Sequence, residues 1–137
     1  MVTDRLTDGV RLAQLLASEV TGNESRLRGL TVVDADRDVE PTADGALAYR
    51  IARERGDSDD GNERGDPAAE VYVQPDRVRI EAVVAADAAA TAARDADLRV
   101  RPKAVRPPRT LVFVEDAAQV KRALAVLEAV RRGPRTE

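Results

Sequence analysis

Hydrophobic positions at the start of the chain recur every three to four residues. Leu6, Val10, Ala13, Leu16 or Ala17, and Val20 make one stripe through residues 3–21, and Leu12 and Leu15 widen it. That period places apolar side chains on one face of a helix broad enough to pack on a sheet. Thr3 or Thr7 is positioned to cap its start, and Gly22-Asn23 to end it. From residue 30 onward the period shortens to two. Leu30–Val33 reads as a strand, and Asp34, Asp36, Asp38 and Glu40 then alternate with Ala35, Arg37 and Val39. An extended backbone there lines up four carboxylates on one face. Pro41–Gly45 reads as a turn, with Asp44-Gly45 a hairpin dipeptide. In the strand that follows, Leu47, Tyr49 and Ile51 alternate with Ala46, Ala48 and Arg50.

The second half repeats this alternation more clearly. Glu70–Gln74 and Arg77–Glu81 are joined by Pro75-Asp76, with Val71 and Val73 on one face of the first and Val78 and Ile80 on one face of the second. A two-residue connection makes them an antiparallel hairpin. Residues 82–96 are rich in alanine and favour helix. Leu98–Arg101 is a short strand, and Thr110–Val114, the most hydrophobic one, is expected at the centre of the sheet. In a last helix over 116–132, Val120, Ala123 or Leu124, Leu127 and Val130 form the buried stripe, and Arg131-Arg132 complement the C-terminal end before Gly133-Pro134. The stretch 55–68 is almost wholly polar and is expected as a flexible loop. The pattern predicts one α+β domain over 1–137. Its antiparallel or mixed sheet is covered on one side by an N-terminal and a C-terminal helix.

Composition narrows the chemistry. The chain has 137 residues and neither cysteine nor histidine, which removes disulfides, Cys/His zinc sites, thiol nucleophiles and imidazole acid–base catalysis. Aromatic residues are only Tyr49, Tyr72 and Phe113, so the core has to be aliphatic. No run approaches a membrane-spanning length and no signal peptide is evident, so a cytoplasmic protein with no membrane association is expected. Residues 1–66 carry 9 Lys/Arg against 15 Asp/Glu, whereas residues 67–137 carry 13 against 10. Of the 22 cations, 20 are arginine.

The cationic excess is concentrated in one place. Between Arg99 and Arg109 lie five cations (Arg99, Arg101, Lys103, Arg106 and Arg109) and three prolines, with no acid. In an extended chain Arg99, Arg101 and Lys103 project from one face, and arginine forks suit phosphate oxygens. These five residues are the candidate binding site, for nucleic-acid phosphates or for an acidic protein partner. The competing reading is a solvated segment whose cations pair with the chain's own acids. The four carboxylates of 34–40 have the oxygen chemistry for Mg²⁺ or Ca²⁺, but a straight strand face does not wrap an ion, so no metal site is assigned. Two Arg-Gly-Asp triplets and an imperfect calcium-loop pattern at 57–61 fall in the polar stretch and read as loop. No glycine-rich phosphate loop occurs, and no cofactor or catalytic residue is assigned. Asp44 with Thr42, or Glu81 near Tyr72, is the nearest approach to an acid–base pair.

Three segments carry a resemblance: Asp4–Gln14, Glu70–Arg77 and Leu98–Glu115. Together they resemble a small family of uncharacterised proteins from haloarchaea. The resemblance implies a salt-adapted cytosol and brings no activity, substrate or catalytic residue with it. The expected function is a non-enzymatic binding or regulatory module acting through 99–109. The alternatives are a homodimerisation module using the face of the 3–21 or 116–132 helix, and an enzyme built on carboxylates.

Overall fold

The computed structural model describes residues 8–23, 26–54 and 65–132. Six strands form one sheet: β1 (Leu30–Val33), β2 (Ala46–Arg53), β3 (Asp66–Gln74), β4 (Arg77–Ala82), β5 (Arg99–Lys103) and β6 (Arg109–Val114). Their spatial order is β1-β2-β3-β4-β6-β5, and every neighbouring pair is antiparallel. The helices are α1 (Gly9–Gly22), α2 (Ala86–Asp95) and α3 (Ala117–Arg132). α1 packs on β1, β3 and β4, α2 on β5 and β6, and α3 on β3 and β6 and against both other helices. The α+β fold expected from the pattern is present, with the sheet wholly antiparallel and α2 joining the covering layer.

Strand alternation builds the core. Register sets Val73, Val78 and Val114 in one row and Val71, Ile80, Val112 and Val100 in the next. Leu12 and Leu16 of α1 and Leu124 and Leu127 of α3 are buried against this face. Tyr49 is the one aromatic side chain in the core. Its hydroxyl donates to the Ala13 carbonyl at 2.7 Å, and burial pushes the phenol up from its ordinary value.

Several element ends differ from the sequence pattern, each for a local reason. The Asp8 side chain caps α1 by accepting from the N–H groups of Val10 and Arg11; residues 3–7 of the expected helix lie outside the described residues. Gly9 is required at the first turn, because a Cβ there would sit 1.9 Å from the Gln74 carbonyl oxygen of the β3–β4 turn. β1 stops at Val33, with Asp34 at φ 55. The acidic stretch 34–40 is therefore connection, not the extended face its alternation implied. The Asp36 carboxylate accepts from the Asp38 N–H instead of facing the same way as its neighbours. Likewise Asp44-Gly45 leads into β2 at the end of a long connection and does not close a tight hairpin.

β3 begins at Asp66, inside the polar stretch, while 55–64 lie outside the described residues. α2 starts at Ala86 because Ala82 is still paired with Ala69 and Thr110 in the sheet. β6 has a neighbour on each side but lies second from the edge, since β5 adds outside it. Pro102 thus falls on an edge strand, where a proline is tolerated. Among the described residues, no helix is long and apolar enough to cross a membrane.

Candidate functional site

The helices cover one face of the sheet, and the other face carries the chemistry. The same alternation that turns Val78, Ile80 and Ala82 inward turns Arg77, Arg79 and Glu81 outward. On β5 it turns out Arg99, Arg101 and Lys103, which lie across from Phe113, Leu111 and Arg109 of β6. On β3 the outward residues include Glu70 and Tyr72, with Arg50 of β2 opposite Glu70.

Like charges face one another at two places in this register, and each clash is resolved by a shared counter-ion. Glu70 sits directly opposite Glu81, and Lys103 opposite Arg109. Unrelieved, both pairs are repulsive. Nη1 of Arg109 donates to Glu70 Oε1 and to Glu81 Oε1, each at 3.0 Å, and so bridges the carboxylates. Glu81 Oε1 also accepts from Lys103 Nζ at 3.3 Å, while its Oε2 accepts from Arg79 Nε at 3.0 Å. The Glu81 side chain is 2% exposed, a buried charge compensated by three cations. Glu70 takes the Tyr72 hydroxyl at 2.6 Å and Arg50 Nε at 3.4 Å.

The titration behaviour follows from these contacts. Burial alone would raise Glu70, but the Tyr72 hydroxyl and the Arg109 and Arg50 guanidiniums outweigh it and hold the carboxyl below its ordinary value. Burial, reinforced by the bond to Glu70, pushes the Tyr72 phenol up to about 12. A carboxyl held ionised beside a phenol held protonated is a poor acid–base pair near neutral pH. Their chemical use is to fix cations in place. Arg79 is held three ways: by Glu81, by the Asp44 carbonyl at 2.9 Å, and by stacking 4.5 Å above the Tyr72 ring.

The structure divides the five cations of 99–109 between two concavities. Lys103, Arg106 and Arg109 line a cleft of about 950 Å³ together with Arg50 and Glu70. Arg99 and Arg101 line a smaller depression of about 360 Å³ with Arg77 and Arg79, and Leu111 and Phe113 lie between the two rows. Arg99 and Arg77 both reach Glu115, at 3.5 and 3.6 Å. Thus Arg99, Lys103 and Arg109 do pair with the chain's own acids, although these acids come from the second half and not from the acidic first half. Arg101 and Arg106 are exposed and make no hydrogen bond or ion pair among the described residues.

Arg50, Arg77, Arg79 and Glu70 are not among the candidates the sequence offers, and Glu81 is there only as an acid–base partner for Tyr72, whose hydroxyl donates to Glu70 instead. A two-residue turn that pairs Gln74 with Arg77 also pairs Glu70 with Glu81, so that juxtaposition was available from hairpin counting. The place of Arg50 depends on the β2–β3 pairing, which no local pattern encodes. No group of three or more Asp or Glu residues close enough to hold a metal ion occurs among the described residues.

No curated protein matches this chain, and no solved structure matches it. The match that does exist spans residues 1–137, and by it the chain belongs to the family of unknown function DUF7993.

Proposed function

We propose that this chain is a non-enzymatic binding module that receives the phosphates of a single-stranded nucleic acid on the open face of its sheet. The observation that carries this reading is the pair of cation rows, Arg77 and Arg79 on β4 and Arg99, Arg101 and Lys103 on β5, flanking Leu111 and Phe113 on β6. Guanidinium forks on a rigid sheet are preorganised for phosphate oxygens, so little side-chain freedom is lost on binding. A half-exposed aromatic ring between the rows offers one base a stacking surface, which a duplex would not use. With a net charge of −3, attraction is confined to this face.

The helix-face alternative has less support. The helices spend their apolar stripes on the sheet and on one another, and Leu15 and Val105 are the large apolar side chains left exposed among the described residues. The carboxylate-enzyme alternative is disfavoured by a Glu70 held ionised and a Tyr72 held protonated. The haloarchaeal likeness belongs to the proposal as well: in a salt-rich cytosol, close bidentate contacts keep more of their strength than long-range attraction does.

The test is fluorescence anisotropy with a short 5′-hydroxyl oligonucleotide across a salt series. Engagement of five cations gives a log–log slope of about −3.5. Replacing Arg99 and Arg101 with Ala reduces both the affinity and the slope. A flat salt dependence overturns the reading. Binding to polyglutamate but not to the oligonucleotide transfers the surface to an acidic protein partner.

A further inference from the structure

We infer that the cleft of about 950 Å³ at the β5–β6 end of the open face is a seat for a phosphomonoester carried on a compact apolar body of nucleotide size. This deepens the phosphate-binding reading above and rests on its premise that the open face recognises phosphate. Three observations carry it.

The first is shape and lining. The cleft volume lies at the upper end of the range for pockets that enclose a small organic ligand. Its walls are of two kinds. Pro67, Val83, Val105 and Pro107 form an apolar side, and Arg50, Lys103, Arg106 and Arg109 form a cationic one. A purely ionic ligand would leave the apolar side wetted, and a purely apolar one would leave the guanidiniums without an anion. An anionic group on a flat or compact body uses both.

The second is charge. Of the four cations, Arg50, Lys103 and Arg109 share the carboxylates of Glu70 and Glu81 and Arg106 pairs with neither, which leaves two positive charges in excess. Arg53 and Asp66, cross-strand partners that also line the cleft, offset one another, and Asp34 lies outside the cleft at 3.5 Å from Arg50. A phosphomonoester carries about −1.5 to −2 near neutral pH, which meets that excess better than a carboxylate or a phosphodiester does.

The third is donor geometry. The bonds of Arg109 to Glu70 and Glu81 both run through Nη1, and its Nε and Nη2 donate to nothing among the described residues. Arg106 has its whole fork in that condition. The carboxylates therefore act as anchors that aim Arg109 while leaving half of its guanidinium for a ligand.

The chain itself supplies a discriminating signature. It contains no histidine and no cysteine, so no side chain with an ordinary value titrates between about pH 5 and 7. The charged and titratable groups that line or border the cleft are Arg50 and Arg53 from β2, Asp66, Glu70 and Tyr72 from β3, Glu81 from β4, Lys103 from β5, Arg106 from the connecting loop and Arg109 from β6. Of these, Glu70 is held below the carboxylate range and Tyr72 above neutrality. The second ionisation of the ligand, near about 6, falls inside that window.

The experiment is calorimetric titration of the full chain with adenosine 5′-monophosphate, with adenosine, and with matched oligonucleotides bearing a 5′-phosphate or a 5′-hydroxyl. The monophosphate should bind and adenosine should not. Affinity falls about tenfold from pH 7 to pH 5 as the dianion is lost. Replacing exposed Arg106 with Ala, which breaks no hydrogen bond or ion pair among the described residues, weakens binding roughly tenfold. A free monophosphate that binds while the 5′-phosphate adds nothing to the oligonucleotide identifies a free nucleotide as the source. A gain from the 5′-phosphate identifies a chain end. Equal binding of adenosine and its monophosphate, or no response to phosphate in either form, overturns the inference. The nucleic-acid reading stands or falls separately, on the 5′-hydroxyl oligonucleotide.

Discussion

The two faces of this sheet are made by the same strands and obey different physics. On β4, Val78, Ile80 and Ala82 point to the helices, while Arg77, Arg79 and Glu81 point away. The helix face is held by volume, as aliphatic rows fill the space under the helices and the few polar groups there find backbone acceptors: the Tyr49 hydroxyl at Ala13, the Thr110 hydroxyl at Ala86, and Arg53 at Val130 and Arg131. The open face is held by charge balance, as two pairs of like charges in register are neutralised by sharing counter-ions. A face held by volume tolerates any side chain of similar size and shape. A face held by charge tolerates none that changes the count.

Neighbouring residues allow the sharpest attempt to break that contrast. Ile80→Ala opens a cavity in the central row and costs about 2–5 kcal/mol, whereas Ile80→Leu, which conserves volume, costs less than about 1.5 kcal/mol. Glu81→Ala strands Arg79, Lys103 and Arg109 and costs about 3 kcal/mol. The deciding variant is Glu81→Gln, which keeps the shape and removes the charge. Urea denaturation should place it closer to Glu81→Ala than to wild type. If Glu81→Gln is as mild as Ile80→Leu, then the open face is also held by volume, and the counter-ion account of its register is wrong.

The contrast also explains which parts of the structure were legible in the sequence. Alternation in Glu70–Gln74 and Arg77–Glu81 and the helical stripe of 116–132 fixed which residues are buried, because burial on one face is a local property with a short period. The basic segment was legible as a segment because its five cations fall within eleven residues of the chain. Its division into two sites was not, since Arg50, Arg77 and Arg79 join it only through the pairing of β4 with β6 and β2 with β3. The acidic stretch 34–40 misled for a related reason. Alternating Asp and Glu imitate a strand face, but Asp side chains bond to nearby backbone N–H groups, and Asp36 does so with Asp38.

An intermediate effect comes from Glu70, the second carboxylate of the open face. Its folded value is depressed from the ordinary 4.5, so its contribution is fully present above that value and is lost as pH falls through the lower, folded one. Arg50 and Arg109 are 42% and 30% exposed, and solvent screens them, so the contribution is under about 1 kcal/mol. Urea midpoints taken from neutral pH into the acid range should show wild type losing more stability than Glu70→Gln. The variant should already be the less stable of the two at neutral pH. Parallel curves would mean that Glu70 contributes no more ionised than protonated, and would sharpen the contrast by leaving Glu81 as the sole electrostatic anchor.

The smallest expected effect on stability is at Arg101, and it carries the most functional information. Its side chain is exposed and touches no partner among the described residues, so Arg101→Ala should change the unfolding free energy by no more than about 0.5 kcal/mol. Arg79→Ala, by contrast, removes a bond to buried Glu81, a bond to the Asp44 carbonyl and the stack on Tyr72, and should be several times more costly. Measured against the same oligonucleotide, the ranking should invert. Arg101→Ala should weaken binding at unchanged stability, because a guanidinium without an internal partner has all of its donors to offer a phosphate. If Arg101→Ala leaves the anisotropy titration unchanged, the cation row on β5 is solvated surface, and the open face is an ion-paired layer whose arginines serve only the fold.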